Sequence, residues 1–154
     1  MRTAMQIKPA TPADVQTVRD IVCAAYAKWV PIIGREPLPM RADYEHALRH
    51  HSIDLLHRDG DVIALIQTIP NPDHLFIENL AVAPPHQGQG LGRHLLAHAE
   101  QKAQAAGLPE IRLLTNSAFD ANIHLYQHVG YRIDREEPFM GGTTVYMGKK
   151  MTSS

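Results

Sequence analysis

From Leu80 to Gly92 the chain reads Leu-Ala-Val-Ala-Pro-Pro-His-Gln-Gly-Gln-Gly-Leu-Gly. A strand ends, a turn carries glycines at 88, 90 and 92, and a long helix begins. Residues 91–106 place Leu91, Leu95, Leu96, Ala99 and Ala103 on one helical face, with Gly107 just past the end. This junction sets how a sheet and a helix must meet. Glycines let the backbone approach a ligand closely and take conformations that other residues avoid. The helix start leaves several N–H groups unpaired and carries partial positive charge. Together they make an anion site suited to a pyrophosphate, although a glycine turn alone can be a plain helix cap. A Walker A loop needs Gly-Lys-Ser/Thr, and Arg93-His94 follow Gly92 here. A dinucleotide fingerprint lacks its third glycine, because position 93 is arginine.

The rest of the chain supplies the frame. Residues 4–9 read as a first strand. Thr11, Pro12 and Asp14 mark a helix start, and Val15, Val18, Ile21, Val22 and Ala25 recur at helical spacing. Residues 29–40 hold three prolines and a glycine and predict an apolar loop that covers the core or lines a pocket. A second helix is expected over about 42–50. Asp59-Gly60 between residues 52–57 and 61–69 predicts a hairpin, and a third strand follows over 74–82. Residues 111–115 are almost continuously apolar, as expected for a strand covered on both faces. A short helix over 120–129 stops at Gly130, and strands over about 131–136 and 143–149 close the chain. The order is β-α-α-β-β-β-α-β-α-β-β. It predicts an α/β (mixed α+β) fold with a central, twisted, mostly antiparallel sheet of about seven strands and about four helices.

At 154 residues the chain is read as one domain over 1–154. Fifteen basic and sixteen acidic residues give a net charge of -1, which provides no global field for nucleic acid. The N-terminal residues lack a signal peptide's apolar core, and no apolar run reaches the roughly 20 residues of a membrane span. The expectation is a cytoplasmic protein without nucleic-acid or membrane partners. A single cysteine, Cys23, excludes an intramolecular disulfide.

Gln87-x-x-Gly90-x-Gly92 resembles the pyrophosphate loop of the GCN5-related N-acetyltransferases, the GNAT superfamily, with its Arg/Gln-x-x-Gly-x-Gly/Ala pattern. Glu78 to Pro84 resembles the strand that precedes that loop. Asn122 to Tyr131 is similar to the family's N-x-x-x-Y-x-x-x-G-[F/Y] segment. The resemblance covers essentially the whole chain. It implies acetyl-CoA as acyl donor, no metal, and transfer to a primary amine of a small molecule or peptide in a ternary complex, with a homodimer as a possible assembly. It also implies that the strand before the loop splays from its parallel neighbour, so that pantetheine lies in the gap. Backbone groups of Leu80, Ala81 and Val82 would then meet the donor, with an N–H near Leu80 polarising the thioester carbonyl. N–H groups across Gln87, Gly88, Gln89, Gly90, Leu91 and Gly92 would bind the pyrophosphate, with Arg93 as a side-chain contact.

Tyr126 matches the tyrosine that protonates the departing thiolate in many members. Its alternative is a core tyrosine. Asn122 would reach the pantetheine arm. Some members carry an asparagine at the position of Phe119, where this chain departs, and Asn116 or Asn122 is the substitute. Glu78, two residues before Leu80 and on the same face of a regular strand, is the candidate base acting through a water; otherwise it is a solvated residue or an arginine partner. Tyr26, Trp29, Met40 and Tyr44 are expected on one wall of the acceptor pocket. Phe139, with Glu136 and Glu137, is expected on another. His94/His98 and His124/His128 have zinc-chelating spacing, but both pairs read as solvated faces. Cys23 lies away from the glycine turn, which disfavours an acyl-cysteine route. The competing functions are a non-catalytic CoA-binding sensor of the same fold and an acyltransferase for another acyl group.

Overall fold

The computed structural model describes residues 5–151. Ala4, assigned above to the first strand, lies outside them. The strands are β1 (Met5–Pro9), β2 (Ser52–Arg58), β3 (Asp61–Pro70), β4 (Leu75–Val82), β5 (Glu110–Asn116), β6 (Arg132–Phe139) and β7 (Gly142–Lys150). They form one sheet in the order β1-β2-β3-β4-β5-β7-β6. Every neighbouring pair is antiparallel except β4 and β5, which the intervening helix joins as a parallel pair. The helices are α1 (Val15–Tyr26), α2 (Val30–Ile33), α3 (Tyr44–His50), α4 (Leu91–Ala105) and α5 (Asp120–His128). This is the mixed, mostly antiparallel architecture that the element order implies. Among the described residues no helix is long and apolar enough to cross a membrane.

Local chemistry explains the joints. The Thr11 N–H donates to the Asp14 carboxylate at 2.8 Å, and a short 3-10 turn over Pro12–Asp14 leads into α1. Asp59 and Gly60 take φ of 52° and 86°, the paired left-handed geometry that suits a two-residue hairpin turn.

Two cores lie on opposite faces of the sheet. On one, α4 and α5 cover Leu56, Ile66, Ile77, Ile111 and Leu113. On the other, α1 and α3 cover Leu55, Leu65 and Ala81. The second layer stops before β5. Leu114 is therefore 47% exposed, and every residue of β6 is exposed. The expectation that β5 is covered on both faces is corrected: helices cover it on one face only. Residues 29–40 are also more ordered than a loop. They hold the single turn α2 and a 3-10 turn over Leu38–Arg41, each with proline in its first turn, where the missing N–H costs nothing.

A β-bulge interrupts β4. Thr68 pairs with Ile77 and Gln67 with Asn79, so Glu78 is the extra residue. Ile77 and Leu80, three apart, both pack on the α4 side. Ala81 packs on the α1 side, and the Asn79 side chain bonds to Tyr26 and Tyr44 there.

Candidate active site

The parallel contact between β4 and β5 is short. Only Leu75, Phe76 and Ile77 pair across it, with Ile111, Arg112 and Leu113 in turn. Beyond Ile77 the strands part, and the β5-facing edge of β4 has no strand partner. A cavity of about 330 Å³ opens at this end of β4. Its walls are Leu80, Ala81 and Val82 of β4, the glycine turn, and Leu91 to Arg93 of α4. Asn122, Leu125 and Tyr126 of α5 face them, and Tyr26, Lys28 and Trp29 close the side at the end of α1.

The glycines act by two different means. Gly88 and Gly90 both take φ of 81°, in the left-handed region. Gly92 is helical, and a Cβ there would stand 3.0 Å from Leu125 Cδ2. The first pair bends the turn; the third lets α4 start against α5. The N–H groups of Gly88 through Arg93 have no hydrogen-bond partner among the described residues. Six unpartnered donors at a helix start, beside a cavity whose lining contains Lys28 and Arg93 but no carboxylate, fit a pyrophosphate. The open strand edge fits an extended amide arm that adds alongside it.

Tyr126 is 7% exposed and faces the cavity from α5. Its hydroxyl makes no hydrogen bond within the described residues. Burial pushes its titration well above the usual tyrosine range, with lesser contributions from Tyr26 and Tyr131, so the phenol keeps its proton at neutral pH. Tyr26 is shifted upward likewise, by burial first and then by Glu78. The Tyr26 hydroxyl donates to Asn79 Oδ1 at 3.2 Å, and Asn79 Nδ2 donates to the Tyr44 hydroxyl at 3.0 Å. Tyr44 in turn donates to the Pro39 carbonyl at 2.5 Å. This chain ties α1, β4 and α3 to the proline-rich segment.

Several expected site residues stand elsewhere. Glu78 is not on the face of Leu80, because the bulge turns it. Its carboxylate lies close enough to Tyr26 and Tyr44 to raise their titration, and His51 favours its charged form. The Glu78 carboxyl is itself raised above its ordinary 4.5, mainly by partial burial, although the residue as a whole is exposed. Asn116 does not reach the cavity; its Oδ1 accepts from the Ala118 N–H at 2.9 Å and shapes the turn after β5. The Gln89 side chain does not line it, since Arg58 holds that side chain at 2.9 Å, while the Gln89 N–H stays among the unpartnered donors of the turn. Tyr44 is a core residue at 1% exposure rather than a pocket wall. Met40 lies outside the cavity, and its carbonyl faces the Cys23 thiol at 3.7 Å. Phe139 sits at the exposed end of β6, 5.8 Å from the Arg35 guanidinium. Glu137 there accepts from the Tyr146 hydroxyl at 3.0 Å, and its neighbour Glu136 is exposed.

Three further residues contact the lining side chains. Phe119, where this chain departs from the members that carry an asparagine, stacks on Trp29 with centroids 4.6 Å apart. Asn79 and Lys28 have no sequence signature, because each acts through a contact more than fifty positions away. His98 is not solvated as expected: it bonds Asp54 at 2.9 Å. Among the described residues no group of three His, Cys, Asp or Glu is gathered to hold a metal ion.

Residues 16–131 match the family model described as the acetyltransferase (GNAT) family. N-alpha-acetyltransferase 80 of Mus musculus is 32% identical over 77 residues, which cover 50% of this chain and 23% of that protein. The aminoalkylphosphonate N-acetyltransferase of Salmonella typhimurium is 27% identical over 143 residues, covering 82% of this chain and 84% of that one. Against the first three curated relatives, the chain spans only 23%, 40% and 40% of their length. Among solved structures, the PaiA N-acetyltransferase of Thermoplasma acidophilum in complex with coenzyme A shares the fold at a TM-score of 0.83 and 17% identity, over 96% of this chain and 99% of that one. A splayed parallel pair, a glycine turn with free N–H groups and a family match over three quarters of the sequence lead to one assignment: the chain belongs to the GNAT family of acetyltransferases.

Proposed function

We propose that this protein is an N-acetyltransferase that moves an acetyl group from acetyl-CoA directly to the primary amine of a small molecule or peptide. The observation that carries this is the cavity where β4 and β5 part, with six unpartnered N–H groups at one end and Tyr126 in its wall. The similar fold solved with coenzyme A and the acetyltransferase relatives support the reading. Bound there, acetyl-CoA supplies a thioester whose carbonyl carbon accepts the amine.

The turn's N–H groups and Arg93 bind phosphate. The backbone of Leu80 and Val82 offers donors and acceptors along the open edge, and a fixed N–H near Leu80 stabilises oxyanion charge as it develops. Ala81 points its side chain away into the α1 core and contributes backbone only. Asn122 orients the amide arm. Tyr126 presents a retained proton for the sulfur that leaves when the C–S bond breaks. Glu78, turned by its bulge to the side of α1, α3 and the proline-rich segment, takes the ammonium proton through a water. The acceptor therefore enters from that side, past Tyr26 and Trp29, while Phe139 and Met40 stand further out.

The test is thiol release from acetyl-CoA against a broad amine panel, with wild type and Tyr126→Phe in parallel. Turnover with at least one amine, falling about 10²-fold or more in the variant at unchanged CoA affinity, is expected. Tight CoA binding with no turnover on any amine would instead make the protein a CoA sensor.

A further inference from the structure

The glycine turn is contacted by a residue that no motif contains. Lys28 stands just after α1, exposed, at the rim of the cavity. Its Nζ donates to Gln87 Oε1 at 3.1 Å, while Gln87 Nε2 donates to the Val82 carbonyl at 3.0 Å. Gln87 thus bridges a cation to the strand edge on which the donor's amide arm would lie. Each end of this bridge has an alternative partner once the donor is bound. A carbonyl at an open strand edge accepts equally well from an added strand's N–H. An ammonium gains from an anionic oxygen a charge–charge attraction that a neutral amide oxygen does not offer.

The charge pattern points the same way. Lys28 and Arg93 are the charged residues in the cavity lining, and neither belongs to an ion pair among the described residues. Several other basic side chains meet carboxylates, as with Lys102 to Asp54 and Arg132 to Glu110. Two cations without an ion-pair partner among the described residues, together with a row of free N–H groups, make the mouth positive within a chain of net charge -1.

We propose that Lys28 is a diphosphate-binding residue, held ready by Gln87, and that occupation of the Val82 carbonyl by the donor's amide arm releases Gln87 and frees Lys28 to bind phosphate oxygen. The inference rests on the acetyl-CoA reading above and adds a ligand from α1 to a site otherwise built from β4, the turn and α4.

Calorimetric titration of CoA, dephospho-CoA and pantetheine into wild type, Lys28→Gln and Lys28→Arg tests it. Lys28→Gln is expected to weaken CoA and dephospho-CoA equally, by about five- to tenfold, and to leave pantetheine unchanged. Lys28→Arg should stay within about threefold of wild type for all three ligands. The difference between wild type and Lys28→Gln should shrink as salt rises. Lys8→Gln, an exposed cation on β1, serves as the control and should match wild type. Equal CoA affinity in wild type and Lys28→Gln overturns the proposal. So does an equal loss for pantetheine, which marks a structural role, or a loss confined to CoA, which moves the contact to the 3′-phosphate. A wild type that binds none of the three ligands would overturn the acetyl-CoA reading itself.

Discussion

Glu78 stands one place out of step with its strand, and its chemistry follows from that. The bulge turns its carboxylate away from the Leu80 face and toward Tyr26, Tyr44 and His51. Partial burial there raises its titration above 4.5, and the His51 charge pulls the other way. In the base role proposed for it Glu78 must be ionised, so kcat/KM should fall as pH drops through the raised value. Its contribution to stability runs the opposite way. Folding disfavours the charged form, so the fold is relatively more stable below the unfolded pKa and loses that margin as pH rises through the folded pKa. Glu78→Gln should remove the acid limb of the pH–rate profile, lower kcat by about 10²-fold, and leave a urea midpoint at neutral pH no lower than wild type's. An acid limb that stays in place in the variant would assign the proton to another group.

At the scale of elements, the strand–turn–helix junction was legible, because glycine at 88, 90 and 92 and the leucine periodicity of α4 are both local signals. The bulge was not. Phe76, Leu80 and Val82 alternate with Leu75, Ile77 and Ala81, so β4 is apolar on both faces and hydrophobic pattern cannot report a change of phase. The short turns within 29–40 were hidden for another reason. Each spans about four residues, too few to show a helical period, and proline reads as a breaker until it falls in a first turn. Asn116 was placed in the site by its position along the chain, but its side chain accepts from the Ala118 N–H instead. In the junction itself, Gly90 carries φ of 81°, and no atom lies within 4 Å of the point a Cβ would occupy, so strain and not collision limits substitution. Gly90→Val should lower stability by about 1–2 kcal/mol in chemical denaturation. It should also weaken CoA binding about tenfold, since the turn's backbone N–H groups are displaced. A variant of normal stability and normal affinity would show that the left-handed turn is dispensable.

The whole molecule is two half-sheets, β1 to β4 and β5 to β7 with β6, that meet through three residue pairs. The helix α4 passes from one half to the other, and a half-buried ion cluster fastens it to the first. Asp54 on β2 takes bonds from His98 and Lys102 of α4, each at 2.9 Å, and Lys102 also reaches Thr68 at 3.4 Å. Asp54 is 7% exposed, so its removal leaves a lysine and a histidine beside an apolar layer. Both partners remain about a quarter to a third exposed, which moderates the loss. Asp54→Ala should lower stability by about 1–2 kcal/mol in urea denaturation, and a change within error would show that water replaces the carboxylate without penalty. Mechanically, the architecture is two plates on a short hinge line with α4 as the strap and Asp54 as its rivet. Under load the seam at Leu75–Ile77 has the fewest bonds to break, and a molecule lodged along the open edge of β4 would act as a splint across it. Binding and stiffness are thereby coupled: the gap that makes room for a ligand is also the joint at which the empty molecule is weakest.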